Sequence, residues 1–202
     1  MTEPLGIHRT QIGSQKLELP LMAVSDDLAI ALLITVDQGV RFAERAGREL
    51  ADQLKTLGVE VIASVATMGI PVAIEVSRAL GIDDYLVLQK TPKIHLVDAL
   101  AEPVRSITTG GTQQLLFDRN RVDVAAGRNV ALVDDVISTG ASVHAALALL
   151  RRAGANPIGV GVLATEGTAW RETLGPDADL VRSLGSLPLF RRGADGEISE
   201  IN

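Results

Sequence analysis

From Val59 onward the chain repeats one pattern: a short apolar run, then a segment with helical spacing. Val59–Val65, Val130–Val133 and Pro157–Ala164 are almost free of polar residues. Runs of that kind suit the interior strands of parallel sheets, which helices cover on both faces. Pro71 stands where a first helical turn tolerates a missing N–H, the helical pattern runs to Leu80, and Gly81 follows as a stop. Asp84–Gln89 reads as the next strand and Ala141–Ala153 as the next long helix. Strands alternating with helices imply right-handed crossovers, so the expected fold class is α/β with a mostly parallel twisted sheet flanked by helices. Ligands on such sheets bind beyond the C-terminal ends of the strands. The segments to inspect therefore follow Val65, Gln89, Val133 and Ala164.

The first third reads differently. Lys16–Val24 and Leu28–Val36 are extended, apolar and β-branched, parted by the turn-prone Ser25-Asp26-Asp27. Gln38–Leu57 carries Val40, Ala43, Ala46, Leu50 and Leu54 on one helical side, and Gly58 ends it. Further on, Lys90–Thr112 holds two prolines and the Gly110-Gly111 pair without periodicity, which predicts an active-site lid. Gln113–Phe117 and Ala178–Val181 predict short strands, and Asp118–Arg128 a polar turn.

Composition narrows the class. A chain of 202 residues, 47% hydrophobic, fits one compact domain with a small appendage. A net charge of −6 argues against a diffuse grip on nucleic acid. Charged residues interrupt every apolar stretch before it reaches membrane-spanning length, and Met1–Pro20 lacks the apolar core of a signal peptide. Without cysteine there is no disulfide, thiolate metal site or Cys nucleophile, which agrees with a cytoplasmic protein.

The most informative stretch runs from Val130 to Ser142. An apolar strand delivers Asp134 and Asp135 to the carboxyl edge of the sheet, and the chain then turns through Val136, Ile137, Ser138, Thr139 and Gly140 into a helix beginning Ala141-Ser142. A helix N-terminus has unpaired N–H groups and a partial positive charge, which favour a phosphate. Ser138, Thr139 and Ser142 add hydroxyl donors, and Gly140 permits close backbone approach. Adjacent carboxylates at a strand end suit a vicinal diol, so the string describes a ribose 5-phosphate binder.

This string resembles the phosphoribosyl pyrophosphate (PRPP) signature of type I phosphoribosyltransferases, and the resemblance extends more loosely from Val59 to Ala164. Gln89-Lys90-Thr91-Pro92-Lys93 and Ser106-Ile107-Thr108-Thr109-Gly110-Gly111-Thr112 are most similar to the adenine and xanthine branch. The resemblance implies the type I phosphoribosyltransferase fold as a single domain over 1–202. Residues 1–57 would form an N-terminal hood and helix, 58–165 a core with a mobile loop 90–112, and 166–202 the C-terminal part of the hood. It implies a Mg2+-assisted transfer in which a purine nitrogen attacks the anomeric carbon of PRPP and pyrophosphate leaves, in a homodimer. By matching positions, Asp134 and Asp135 would bind the ribose hydroxyls directly or through magnesium and water, and Val136–Ser142 would cradle the 5-phosphate. Lys90 and Lys93 would meet the pyrophosphate, Arg105 would join them from the loop, and Thr67, Met68 and Gly69 would occupy the pyrophosphate loop. The purine is expected near Glu166, Trp170 and Asp26: Glu166 accepting from a ring or exocyclic N–H, Trp170 stacking.

Two segments depart from the adenine pattern. Thr67 and Met68 stand where a basic residue is common, and Thr109 where a loop carboxylate is usual. A PRPP-sensing regulator and a pyrimidine enzyme of the same fold are the alternatives. No basic recognition surface precedes Val59, which ranks the regulator second.

Overall fold

The computed structural model describes residues 3–94, 96, 98–104, 113–193 and 197–201. In chain order its strands are β1 (Gly6–Ile12), β2 (Gln15–Ala23), β3 (Leu28–Ala31), β4 (Val61–Val65), β5 (Tyr85–Leu88), β6 (Ala99–Val104), β7 (Gln113–Asp118), β8 (Asn129–Ile137), β9 (Asn156–Glu166), β10 (Val181–Leu187), β11 (Leu189–Arg192) and β12 (Ile198–Ile201). The helices are α1 (Val40–Leu54), α2 (Gly69–Leu80), α3 (Val122–Ala125), α4 (Ala141–Arg152) and α5 (Ala169–Leu174).

The central sheet has the order β10-β9-β8-β4-β5, and every neighbouring pair in it is parallel. Successive side chains of its strands pack to opposite faces. Val61, Ala63, Val130, Leu132, Val160 and Val162 join Leu147 and Leu150 of α4 and Leu115 and Phe117 of β7 in one core. Ile62, Ala131, Val133 and Leu163 join Phe42, Leu50 and Leu54 of α1 and Val72 and Val76 of α2 in the other. A sheet covered on both faces is the arrangement that the uninterrupted apolar runs anticipate. Among the described residues no helix is long and apolar enough to cross a membrane.

A second, antiparallel sheet forms the hood, in the order β1-β2-β3-β11-β12. The pairing of β11 with β3, Phe190 opposite Ala29, joins the C-terminal segment to the N-terminal one. Its inner face, including Leu19, Leu21, Ala29 and Phe190, packs into the core that holds α1 and α2.

Several expectations are corrected. Lys90–Thr112 is not loop throughout: β6 pairs antiparallel with β7, and Arg152 of α4 staples it with bonds to the Ala101 carbonyl (2.6 Å) and Glu102 Oε2 (2.7 Å). Cross-strand pairing overrides the irregular local pattern around Pro103. The predicted strand at Ala178–Val181 is mostly a 3-10 turn, Gly175–Leu180, and β10 begins where that strand should end. As an edge strand carrying Arg182, Ser183 and Ser186, β10 shows little apolar signal. Leu28–Val36 stops being a strand at Ala31, before a 3-10 turn at Thr35–Gln38. Asp118–Arg128 contains the short helix α3.

Candidate functional site

The topology marks one place for a ligand. From β4 the chain crosses by α2 to β5 on one side, whereas β8 crosses by α4 to β9 on the other, so the connections reverse direction between β4 and β8. A crevice opens at the carboxyl edge where such a reversal occurs. The pairing of β4 with β8 ends at Ser64 opposite Val133, while β8 runs on beside β9 as far as Ile137 opposite Thr165. Asp134 and Asp135 therefore lie in β8 itself, in the stretch that extends past its β4 partner, rather than in the turn after it.

The two acids have different environments. Asp134 is 6% exposed, and the Asp135 backbone N–H donates to its Oδ1 at 3.0 Å. Burial and then the neighbouring Asp135 push its carboxyl well above the ordinary value, while Lys90 pulls in the opposite direction. Asp135 is half-buried, open to a ligand. Lys90 is exposed at the end of β5 and is thereby placed in the field of the acid pair. Lys93 is exposed in the turn that follows, its carbonyl accepting from Leu96 N–H at 2.9 Å. Arg105, Ser106–Thr112 and His95 lie outside the described residues.

The turn from β8 into α4 has the form an anion requires. Gly140 caps the helix at φ +81°, a left-handed conformation that side chains disfavour. A Cβ there would also come within 3.1 Å of the Trp170 carbonyl and 3.2 Å of Thr173 Cβ, so α5 holds the turn from behind. Among the described residues the only side-chain bond to the first helical N–H groups is a long one, from Ala141 N–H to Thr139 Oγ1 at 3.4 Å. The helix then propagates from His144 N–H to the Gly140 carbonyl at 2.9 Å. The first turn of α4 is left directed at the crevice, with Ser138, Thr139 and Ser142 half-buried around it.

Across the crevice, Ala66–Met68 connects β4 to α2, with a cis peptide between Ala66 and Thr67. Thr67 is exposed and its carbonyl accepts from Ile70 N–H at 3.2 Å, while Met68 is half-buried. Gly69 begins α2 against the acid pair. A Cβ at this residue would lie 2.6 Å from Asp134 Oδ1 and 2.6 Å from Ser64 Oγ. Ser64 was not among the expected site residues. It is fully buried, and its hydroxyl has no hydrogen-bond partner among the described residues. A single alcohol within the apolar run Val61–Val65 was the available signal.

Comparison with known proteins agrees with this geometry. Residues 38–184 match the phosphoribosyl transferase domain. The chain belongs to the phosphoribosyl transferase domain family. An adenine phosphoribosyltransferase of Streptomyces coelicolor is 33% identical over 147 residues, covering 73% of this chain and 70% of that protein. An orotate phosphoribosyltransferase of Caldanaerobacter subterraneus is 28% identical over 122 residues, or 60% of this chain, and the match spans only 53% of that protein. Among solved structures, the adenine phosphoribosyltransferase of Rhodothermus marinus superposes with a TM-score of 0.65 at 17% identity, over 90% of this chain and 94% of that one. That likeness shows the type I phosphoribosyltransferase fold.

Within this family fold the expected base contacts are rearranged. Trp170 is 3% exposed, its indole N–H donates to the Gly167 carbonyl at 3.2 Å, and the Arg171 guanidinium lies 4.4 Å above its ring. Its ring is a core element behind Gly140, not a platform for a base. Glu166 is 5% exposed at the end of β9; burial raises its carboxyl above the ordinary value, and the Ser138 side chain offsets part of that rise. Asp26 is exposed in the β2–β3 hairpin, where Val24 N–H bonds the Leu28 carbonyl and Ser25 Oγ bonds Asp27. Its role there is that of a turn residue.

The oxygen donors of the acid pair are of the kind magnesium takes. That ion takes hard oxygen ligands, commonly one or two carboxylates completed by substrate phosphate and water. Asp134 and Asp135 supply that kind of donor, and no cluster of three or more His, Cys, Asp or Glu occurs among the described residues. The pair fits an ion that arrives with its substrate.

Proposed function

We propose that the chain is a purine phosphoribosyltransferase that transfers the 5-phosphoribosyl group of PRPP to a purine, adenine before xanthine, giving the nucleoside 5-monophosphate and pyrophosphate. The observation that carries this reading is the meeting of Asp134 and Asp135 with the Gly140-capped start of α4 at the point where the sheet reverses its connections. The 5-phosphate is held by residues 136–142, and the ribose hydroxyls by Asp134 and Asp135. The backbone of Thr67–Gly69 and the ammonium groups of Lys90 and Lys93 receive the pyrophosphate. Asp134 and Asp135 would hold Mg2+, which when bound neutralises charge on the leaving group.

In the reaction the base nitrogen forms its bond to the anomeric carbon as the carbon–oxygen bond to pyrophosphate breaks, and the leaving group keeps that electron pair. A preformed cradle supplies positioning, and closure over the bound substrates would supply water exclusion, the terms on which such a transfer depends. The absence of cysteine supports a cytoplasmic enzyme. A homodimer belongs to the same reading, and sedimentation velocity tests it.

A pyrimidine substrate is the second reading. Its support is the similarity to an orotate enzyme, together with the burial of Trp170 away from the base position. The deciding assay is pyrophosphate release from PRPP and magnesium, with adenine, xanthine, hypoxanthine, guanine and orotate supplied separately. Turnover with adenine or xanthine supports the proposal, and turnover with orotate alone replaces it with the second reading. Tight PRPP binding without turnover on any base identifies a sensor.

A further inference from the structure

Among the described residues the side-chain hydroxyls of Thr35, Ser64 and Ser77 are buried without a hydrogen-bond partner. Thr35 opens a 3-10 turn, and Ser77 lies in α2, where the carbonyl one turn back is within reach of a rotated serine. Ser64 has no such local outlet. Its strand β4 is interior, with Ser64 opposite Val87 of β5 on one side and opposite Val133 of β8 on the other. The backbone to either side is therefore already engaged in ladders. Ile62, two residues earlier and so on the same face of the strand, packs with α1 and α2. A hydroxyl placed among such neighbours without a bond is unfavourable, and alanine would fill the position without that cost. An orphan of this kind calls for an explanation in function.

Gly69 shows what the hydroxyl faces. Ser64 Oγ and Asp134 Oδ1 each lie 2.6 Å from the point where a Gly69 side chain would begin. Glycine puts no atom there, so the hydroxyl and the carboxylate oxygen border the same gap between β4, β8 and the start of α2. Asp134 Oδ1 already accepts from the Asp135 N–H at 3.0 Å, and a carboxylate oxygen keeps a further lone pair for a second donor. The two side chains are short, and rotation about a single bond in either one changes their separation. In the free protein they are neighbours without being partners.

We propose that Ser64 is a positioning residue of the transfer reaction: as the ribose draws Asp134 toward the crevice, the Ser64 hydroxyl donates to Oδ1 and fixes the carboxylate in the orientation that binds the diol. This inference rests on the reading of Asp134 as a ribose ligand. The hydroxyl is then unsatisfied in the free protein and bonded in the complex. That difference between the two states is what favours the liganded one.

The test is Ser64→Ala in the full chain, read by thermal denaturation without ligand and by calorimetric titration with ribose 5-phosphate. Removing an unsatisfied buried hydroxyl should raise the Tm, by about 2–4 °C for a domain of this size. The same change deletes a bond to a charged group in the complex, so affinity for ribose 5-phosphate should fall about tenfold. In the pyrophosphate-release assay the KM for PRPP should rise while the KM for the base stays at the wild-type value. Opposite signs in stability and binding mark a positioning role, because a residue that only packs would lose both together. Wild-type affinity in Ser64→Ala overturns the proposal and leaves Asp134 in the site. A lower Tm accompanied by weaker binding also overturns it, since Ser64 then serves the free fold. If wild type does not bind ribose 5-phosphate at all, the ribose reading of Asp134 fails and the proposal falls with it.

Discussion

Replacing Gly69 with alanine adds one methyl group at the most crowded point of the site. The new Cβ would lie 2.6 Å from both Asp134 Oδ1 and Ser64 Oγ and 3.0 Å from Asp134 Cα. Comfortable carbon contacts need about 3.5 Å, so roughly 0.9 Å must be found. Neither side has that freedom: Ser64 and Asp134 are buried, and α2 is seated by the fully buried Val72, Ala73 and Val76. Overpacking of this kind costs about 1–3 kcal/mol. Alanine returns about 0.5–1 kcal/mol of helix propensity. The net is a destabilisation of about 1 kcal/mol, which lowers the Tm of a domain this size by about 2–4 °C. The larger effect falls on turnover, because a carboxylate displaced by about 1 Å from its working position can cost about a hundredfold. Thermal denaturation and PRPP-dependent pyrophosphate release measure the two effects. Gly6→Ala is the control, since a Cβ there meets nothing nearer than Leu21 at 3.7 Å. A Gly69→Ala protein with wild-type Tm and turnover within about twofold would refute the claim that α2 is packed directly against the acid pair.

Three further outcomes are expected. Asp134→Ala with Asp135→Ala should abolish ribose 5-phosphate binding while the circular dichroism spectrum stays native, and undiminished binding removes both residues from the site. Lys90→Ala should lower turnover by more than it weakens binding of the nucleotide product, because the group it serves is the leaving pyrophosphate, and equal losses contradict that role. The bidentate pair of Arg151 with Asp177, at 2.8 and 2.6 Å, holds the Asp177 carboxyl below its ordinary value. Its contribution is therefore complete above the ordinary carboxylate pKa and is lost as pH falls through the depressed one. Asp177→Asn should cost about 0.5 kcal/mol at neutral pH and nothing in strong acid, as urea titrations at the two pH values will read.

The legible parts of this protein share a physical property: their causes are local. Val130–Ser142 contains the apolar run, the acids, the hydroxyls and the glycine in one contiguous stretch, so the strand, the turn and the helix start could be read together. Helix α1 was nearly as open: of Val40, Ala43, Ala46, Leu50 and Leu54, read at helical spacing, all are buried except Val40, which stands exposed at the first turn. The strand β1 was not, since Gly6–Ile12 alternates half-buried and exposed residues with its polar residues on both faces, and it exists through its pairing with β2. The same holds for β6, whose partner is β7, and for β12, which pairs with β11.

The site divides along the same line. By its own content the sequence determined that a Gly-capped helix start would follow two acids at a strand end, because backbone conformation and residue chemistry over neighbouring positions suffice for that. Only the tertiary structure decided what surrounds them. It set Gly69 and Ser64 against Asp134, brought Lys90 into the field of that carboxylate, drew Trp170 into the core behind Gly140, and buried Glu166 at the end of β9. Those contacts join residues far apart in the chain, through sheet order and helix packing that no local pattern encodes.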